Sequence, residues 1–164
     1  DLDDIASLES AFRGASAIFA VTDIYNHLFN PANFPKAQEA GISVNEYACN
    51  LETTQAMNIA IAANSPAISS TLTHFVFSSL SDTNRWSKGK YTWNFHFDAK
   101  AQAVKRIREG LPDLAAKLST VQATGRGGLG DLKSRKTGLS LCQFLKGRKL
   151  SFHGSSWTEI QASM

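Results

Sequence analysis

His96 and Lys100 stand four residues apart in the run Asn94-Phe95-His96-Phe97-Asp98-Ala99-Lys100, a spacing that puts both side chains on one face of a helix. An ammonium so placed can hold a ribose hydroxyl and offset phosphate charge, and an imidazole beside it can move protons near neutral pH. The plainer reading is a solvated lysine next to a half-buried histidine. Ser79, closing the apolar run His74-Phe75-Val76-Phe77-Ser78, offers a hydroxyl to the same chemistry or simply ends a strand. Asp4, Thr22 and Asp23 are the other polar groups at element ends. A carboxylate there accepts from an adenine amino group or a ribose hydroxyl, and a threonine bonds a ribose or phosphate oxygen. Asp4 reads equally well as a helix cap. His27, His74 and His153 show no metal-ligand spacing and form no Cys/His cluster, so no metal site is expected.

The elements that must position these groups follow from the pattern. Asp4 caps a helix predicted over 5–13, where Leu8 and Phe12 share a face and Gly14 gives the stop. Residues 15–22 are apolar without alternation, as a central parallel strand covered on both faces would be. A long polar connection follows from Asp23 to about Val44, and its Asn30-Pro31 and Phe34-Pro35 pairs forbid a regular helix through it. From Asn45 to Asn64 the period is helical, carried by Tyr47, Leu51, Ala56, Ile59, Ala60 and Ala63. Pro66 ends that helix, and 74–79 is the second buried strand, completing a right-handed βαβ unit. A further helix is expected over 98–109, with Ala99, Ala103 and Ile107 inward, and a last strand from Leu118 to Gln122. Ligands of open α/β sheets bind at the carboxyl ends of strands. The acidic turn 1–4 and the ends at 21–23 and 78–80 would converge there. An acidic turn leading into a capped helix and then a buried strand implies at least one more strand ahead of Asp1.

Composition sets the class. A length of 164 residues, 43% hydrophobic and 19% charged, allows one globular domain that folds without staples. The net charge of +3 is uneven: residues 1–118 carry 10 Lys+Arg against 12 Asp+Glu, and 119–164 carry 7 against 2. The tail beyond about residue 122 also holds seven of the chain's 11 glycines and no sustained period. Its run Gly125-Arg126-Gly127-Gly128-Leu129-Gly130 lacks the lysine-serine ending and the strand-to-helix junction of a phosphate loop, and reads as a linker. With no aromatic interleaving in that tail and no helix-turn-helix or zinc pattern, direct nucleic-acid binding is not expected. Cys49 and Cys142 read as reduced thiols rather than a bridge. No apolar run approaches the roughly 20 residues of a membrane helix, so a soluble intracellular protein is expected.

Taken in order, Asp1-Leu2-Asp3-Asp4, Leu8, Ala11-Phe12-Arg13-Gly14-Ala15, Phe19-Ala20-Val21-Thr22-Asp23, Gln55-Ala56-Met57-Asn58-Ile59-Ala60, Phe75-Val76-Phe77-Ser78-Ser79-Leu80 and His96-Phe97-Asp98-Ala99-Lys100 resemble the NmrA-like family of atypical short-chain dehydrogenase relatives. The resemblance covers residues 1–122 and implies a partial Rossmann-like domain, an incomplete doubly wound parallel sheet lacking its first strands, followed by an irregular tail at 123–164. It implies NADP or NAD as cofactor, with contacts on Asp4, Thr22, Asp23, Ile24 and Lys100. His96 stands where the active dehydrogenases of the wider group have their tyrosine acid. That points to a cytoplasmic or nuclear redox sensor that regulates a protein such as a transcription factor, without turnover. The alternative is an NAD(P)H-dependent reductase of a small carbonyl, quinone or azo compound, with Ser79, His96 and Lys100 near the nicotinamide. The resemblance puts the phosphate-cradling loop ahead of residue 1, so tight cofactor binding by the chain as given is not expected. The tail's abrupt change of character reads as a translated intron or a shifted reading frame.

Overall fold

The computed structural model describes residues 1–122 and the strand at 158–160, all within the first of the chain's two units, Asp1–Gln122 with Ser156–Met164. Asp4 is extended and its carboxylate accepts the Ala6 N–H at 3.0 Å, which starts helix α1, Ile5–Phe12. Leu8 and Phe12 point into the core. Gly14 then turns the chain at φ +72°, a conformation costly to any residue with a Cβ. Strand β1, Ala17–Ala20, is shorter than the predicted run.

The connection expected to be irregular between residues 23 and 44 is instead built from two short helices, α2, Ile24–Leu28, and α3, Asn33–Glu39. The prolines do not prevent this. Pro31 precedes α3 and Pro35 lies in its first turn, where the backbone N–H groups have no helical acceptor to lose. Helix α4, Val44–Ala63, begins on a serine cap: the Ser43 hydroxyl accepts the Glu46 N–H at 3.2 Å, with Glu46 in the first turn. It packs against α1, α2 and α3 and most extensively against α7, Phe95–Gly110. Buried Ala48, Ala56 and Ala60 on one side and Ala99 and Ala103 on the other are among the small residues of this region, and such residues let helices approach closely. Helix α7 starts three residues earlier than the sequence predicted, which brings His96 onto it. Short helices α5, Pro66–Ser69, α6, Thr83–Trp86, and α8, Pro112–Ala115, link these elements to β2, His74–Ser78, and β3, Leu118–Val121.

The strands form an all-parallel sheet. Phe19 lies opposite Val76 and Ala20 opposite Phe77, while Phe75 pairs with Leu118. A three-residue strand β4, Thr158–Ile160, runs parallel along the other edge of β1, giving the order β3-β2-β1-β4. Because β1, β2 and β3 step across the sheet in one direction, right-handed crossovers set α4 and α7 on one face, and α1 packs beside α4. The main core is therefore the layer between these helices and Ile18, Ala20, Phe75 and Phe77 of the sheet. Ala17 and Val76 are buried outside that core, and Phe19 is half-buried. The described residues thus form a mixed α/β fold around a small open parallel sheet, with α1, α4 and α7 packed on one of its faces. The Gly125–Gly130 run, Cys142 and His153 lie outside the described residues.

Phe75→Ala, which empties a fully buried site on the central strand β2, is expected to lower unfolding stability by about 3–5 kcal/mol. Phe29→Ala, at a side chain 72% exposed, should change it by less than about 0.5 kcal/mol. Urea unfolding of both variants checks the pair.

Candidate functional site

Lys100 lies on the buried side of α7 and reaches the carboxyl end of β1. Its ammonium carries three N–H donors, and three acceptors surround it: the Thr22 carbonyl at 2.6 Å, the Thr22 hydroxyl at 3.0 Å and Glu52 Oε1 at 2.9 Å. The Thr22 hydroxyl in turn donates to Glu52 Oε1 at 2.8 Å. The Lys100 ammonium also sits 5.8 Å from the centre of the Phe77 ring on β2. Thr22, Glu52 and Lys100 are all buried, Glu52 completely. A charge taken out of water is tolerated only when paired and hydrogen-bonded, so this cluster welds β1, α4 and α7 together. Glu52 Oε2 remains buried without a hydrogen-bond partner among the described residues.

Of the residues singled out from the sequence, Thr22 and Lys100 meet directly. His96 sits one turn before Lys100, half-buried, with its ring 5.2 Å from Tyr25 and Nδ1 without a hydrogen-bond partner among the described residues. Burial holds its imidazole below the ordinary value. The Glu52 carboxylate pulls the other way, the Lys100 ammonium adds to the lowering, and Asp23 opposes it. Asp23 caps α2, accepting the Tyr25 N–H at 3.0 Å, much as Asp4 caps α1. The Ile24 side chain is core, packed with Ala48, Cys49 and Ala99, so only its backbone is free to face a ligand. The acidic turn is pinned to α4: Gln55 donates to both Asp3 carboxylate oxygens at 3.1 and 3.2 Å, and Asn58 donates to the Leu2 carbonyl at 3.0 Å. Since the Gln55 amide donates to Asp3, its carbonyl accepts from His27 Nε2 at 2.9 Å, which fixes the His27 tautomer.

Ser79 is separate from this cluster. It extends β2, donating its N–H to the Val121 carbonyl at 2.8 Å. It also lines a cleft of about 870 Å³ with residues of α6, α7 and β3, a cleft to which Thr22, Asp23, His96 and Lys100 do not contribute. Cys49 is a free, buried thiol. Burial first, then the Asp98 and Glu52 carboxylates, push it up to about 11, so it is inert at neutral pH. Among the described residues no group of three His, Cys, Asp or Glu is arranged to hold a metal ion, and no helix is long and apolar enough to cross a membrane.

Glu52 was missed in the sequence reading, although its signal is visible there: it interrupts a stripe of small residues, Ala48, Glu52 and Ala56, at intervals of four. No protein-family model matches the chain, and no curated protein matches it.

Two measurements test the cluster. Lys100→Met leaves the Glu52 carboxylate buried without its ammonium, and urea unfolding should show a loss of about 3–5 kcal/mol, much of it recovered in Glu52→Leu/Lys100→Met. The His96 imidazole, neutral in the fold below its ordinary range, should make stability fall as pH drops from about 6.5, where the unfolded chain binds the proton first, until the folded imidazole is protonated as well. The difference between wild type and His96→Asn across pH 7 to 4 isolates that step; parallel curves would contradict it.

Proposed function

We infer that this chain is NmrA-like, with a Rossmann-like doubly wound parallel sheet. On this reading it binds NADP or NAD over the carboxyl ends of β1 and β2 and acts as a redox-responsive regulator without turnover. The observation that carries the reading is the Lys100 ammonium held between Thr22 at the end of β1 and Phe77 on β2, two strands that are parallel neighbours. That arrangement supports a ligand lying across the strand ends, the position favoured in open α/β sheets.

The residues divide the work. Asp23 and Asp4, exposed or half-exposed caps, offer carboxylate oxygens to ribose hydroxyls, and the Ile24 backbone lines the same edge. All three donors of Lys100 are engaged by Thr22 and Glu52, so a ribose hydroxyl joins this cluster by replacing one of those acceptors. A bound nicotinamide would supply the hydride chemistry. His96 lies one turn before Lys100 on α7, and its burial favours the neutral ring, which lacks the extra proton a general acid gives up. That favours sensing over turnover. The reductase reading, with Ser79, His96 and Lys100 around the nicotinamide and a small carbonyl, quinone or azo acceptor, needs His96 to carry the extra proton that its burial disfavours. A regulatory protein partner, such as a transcription factor, belongs to the sensor reading.

Titration of NADPH at high protein concentration, followed by its fluorescence, is expected to give a weak but saturable signal that Asp23→Ala lowers further, by at least about fivefold, with no loss of reduced-nicotinamide absorbance when menadione is added. Consumption of NADPH would favour the reductase, and an absence of saturable binding would overturn both readings.

A further inference from the structure

The segment between Asp82 and Asp98 leaves three large aromatic rings in water. Its ends are joined, since the Thr83 hydroxyl donates to Asp98 Oδ1 at 3.4 Å, and Phe95 on the returning side packs against the cluster of Ile24, Ala48, Cys49 and Ala99. Between these anchors the chain bonds to itself. Gly89 donates its N–H to the Asn84 carbonyl at 2.8 Å, while the Ser87 hydroxyl accepts the Tyr91 N–H at 2.9 Å and donates to the Asn84 carbonyl at 3.2 Å. The loop is thus held in one shape, yet Trp86, Tyr91 and Trp93 are 75%, 58% and 82% exposed. Exposed rings gathered in one short segment, rather than scattered singly, mark an interaction surface. The charge of the loop is one-sided. Arg85, Lys88 and Lys90 are all exposed, and no acid stands between Asp82 and Asp98. None of the three is ion-paired among the described residues. Two of them lie beside the rings, the Arg85 guanidinium 5.7 Å from the centre of the Trp86 ring and the Lys90 ammonium 5.6 Å from that of Tyr91. The two acids sit at the neck, where Asp82 caps α6 and Asp98 meets Thr83.

We propose that this loop docks on an anionic membrane surface, with Trp86, Tyr91 and Trp93 among the lipid headgroups and Arg85, Lys88 and Lys90 against their phosphates. A bilayer surface matches both halves of the pattern. Trp and Tyr settle at headgroup depth, where the ring meets acyl carbons and its N–H or O–H still finds an oxygen. Each Lys or Arg near an anionic leaflet strengthens binding by about fivefold. A cation held beside a ring reaches the phosphate next to the point where that ring enters. Docking of this kind needs no spanning helix. A single-stranded nucleic acid would also accept rings and cations, but it requires a cationic track for its backbone to follow. The cleft adjoining the loop offers none, because Asp82, Asp98 and Glu109 line it together with Arg85, Lys105 and Arg108. A bilayer asks only for the exposed side chains of the loop itself.

Co-sedimentation of the whole chain with sucrose-loaded vesicles, of phosphatidylcholine alone or with roughly one phosphatidylserine in four lipids, tests the inference. The anionic vesicles are expected to bind the chain at least about tenfold more tightly than the neutral ones, and less tightly as salt rises. Lys88→Gln/Lys90→Gln and the charge-neutral Trp86→Ser/Trp93→Ser should each weaken that binding at least about tenfold. Arg13→Gln/Lys36→Gln removes the same charge from outside the loop and should weaken it less than about threefold, which separates the loop from net charge. All these substitutions fall at exposed positions. Equal binding to the two vesicles, equal losses in the Lys88/Lys90 and Arg13/Lys36 variants, or full binding by the tryptophan variant would overturn the proposal. So would loop-dependent binding of labelled oligothymidylate at lower protein concentration than the vesicles need, which would assign the loop to a nucleic acid. None of these results depends on whether NADPH binds at the strand ends.

Discussion

One buried ion pair organises this structure. Lys100 leaves α7, Glu52 leaves α4, and both close on Thr22 at the point where β1 turns toward α2. Each charge is desolvated, so neither is stable without the other, and the geometry that satisfies both is narrow. That is why the two longest helices and the first strand hold a common position. Around this polar centre the rest is ordinary apolar packing of Phe12, Ile18, Ile59, Phe75, Phe77 and Ile107, which supplies burial but little register of its own.

The strands and long helices could be read directly from the residues because their signals are local. The uninterrupted apolar runs around Phe19 and Phe75 could be little else, and the period through Ala56, Ile59, Ala60 and Ala63 marked α4 to within a residue at each end. The connection from Asp23 to Val44 misled because a proline was treated as a barrier wherever it fell; Pro35 sits in the first turn of α3, where the backbone has no bond to break. That the long described helices share one face of the sheet is a matter of topology. Strand order comes from which crossover closes where, and no run of residues in β1 or β2 encodes it.

The site was legible in its members and not in its wiring. His96 and Lys100 were chosen for their spacing, and α7 does carry both. Yet the sequence reading turned Lys100 toward a ligand, whereas its three donors are met within the protein by two residues, Thr22 and Glu52, the second of which it did not single out. Long-range partners of this kind, 48 positions apart in the case of Glu52 and Lys100, leave no trace in local pattern.

The parallel arrangement has one more consequence. Ala17 meets His74, and Phe75 meets Leu118, so no two strands of this sheet are joined by a hairpin and no strand finds its neighbour early. Sheet assembly must wait for α4 and α7 to form and carry the chain back. The rate at which this molecule acquires its structure is then set by the closure of two long loops, and during that interval the Phe19 and Phe75 segments are bare, adhesive surfaces.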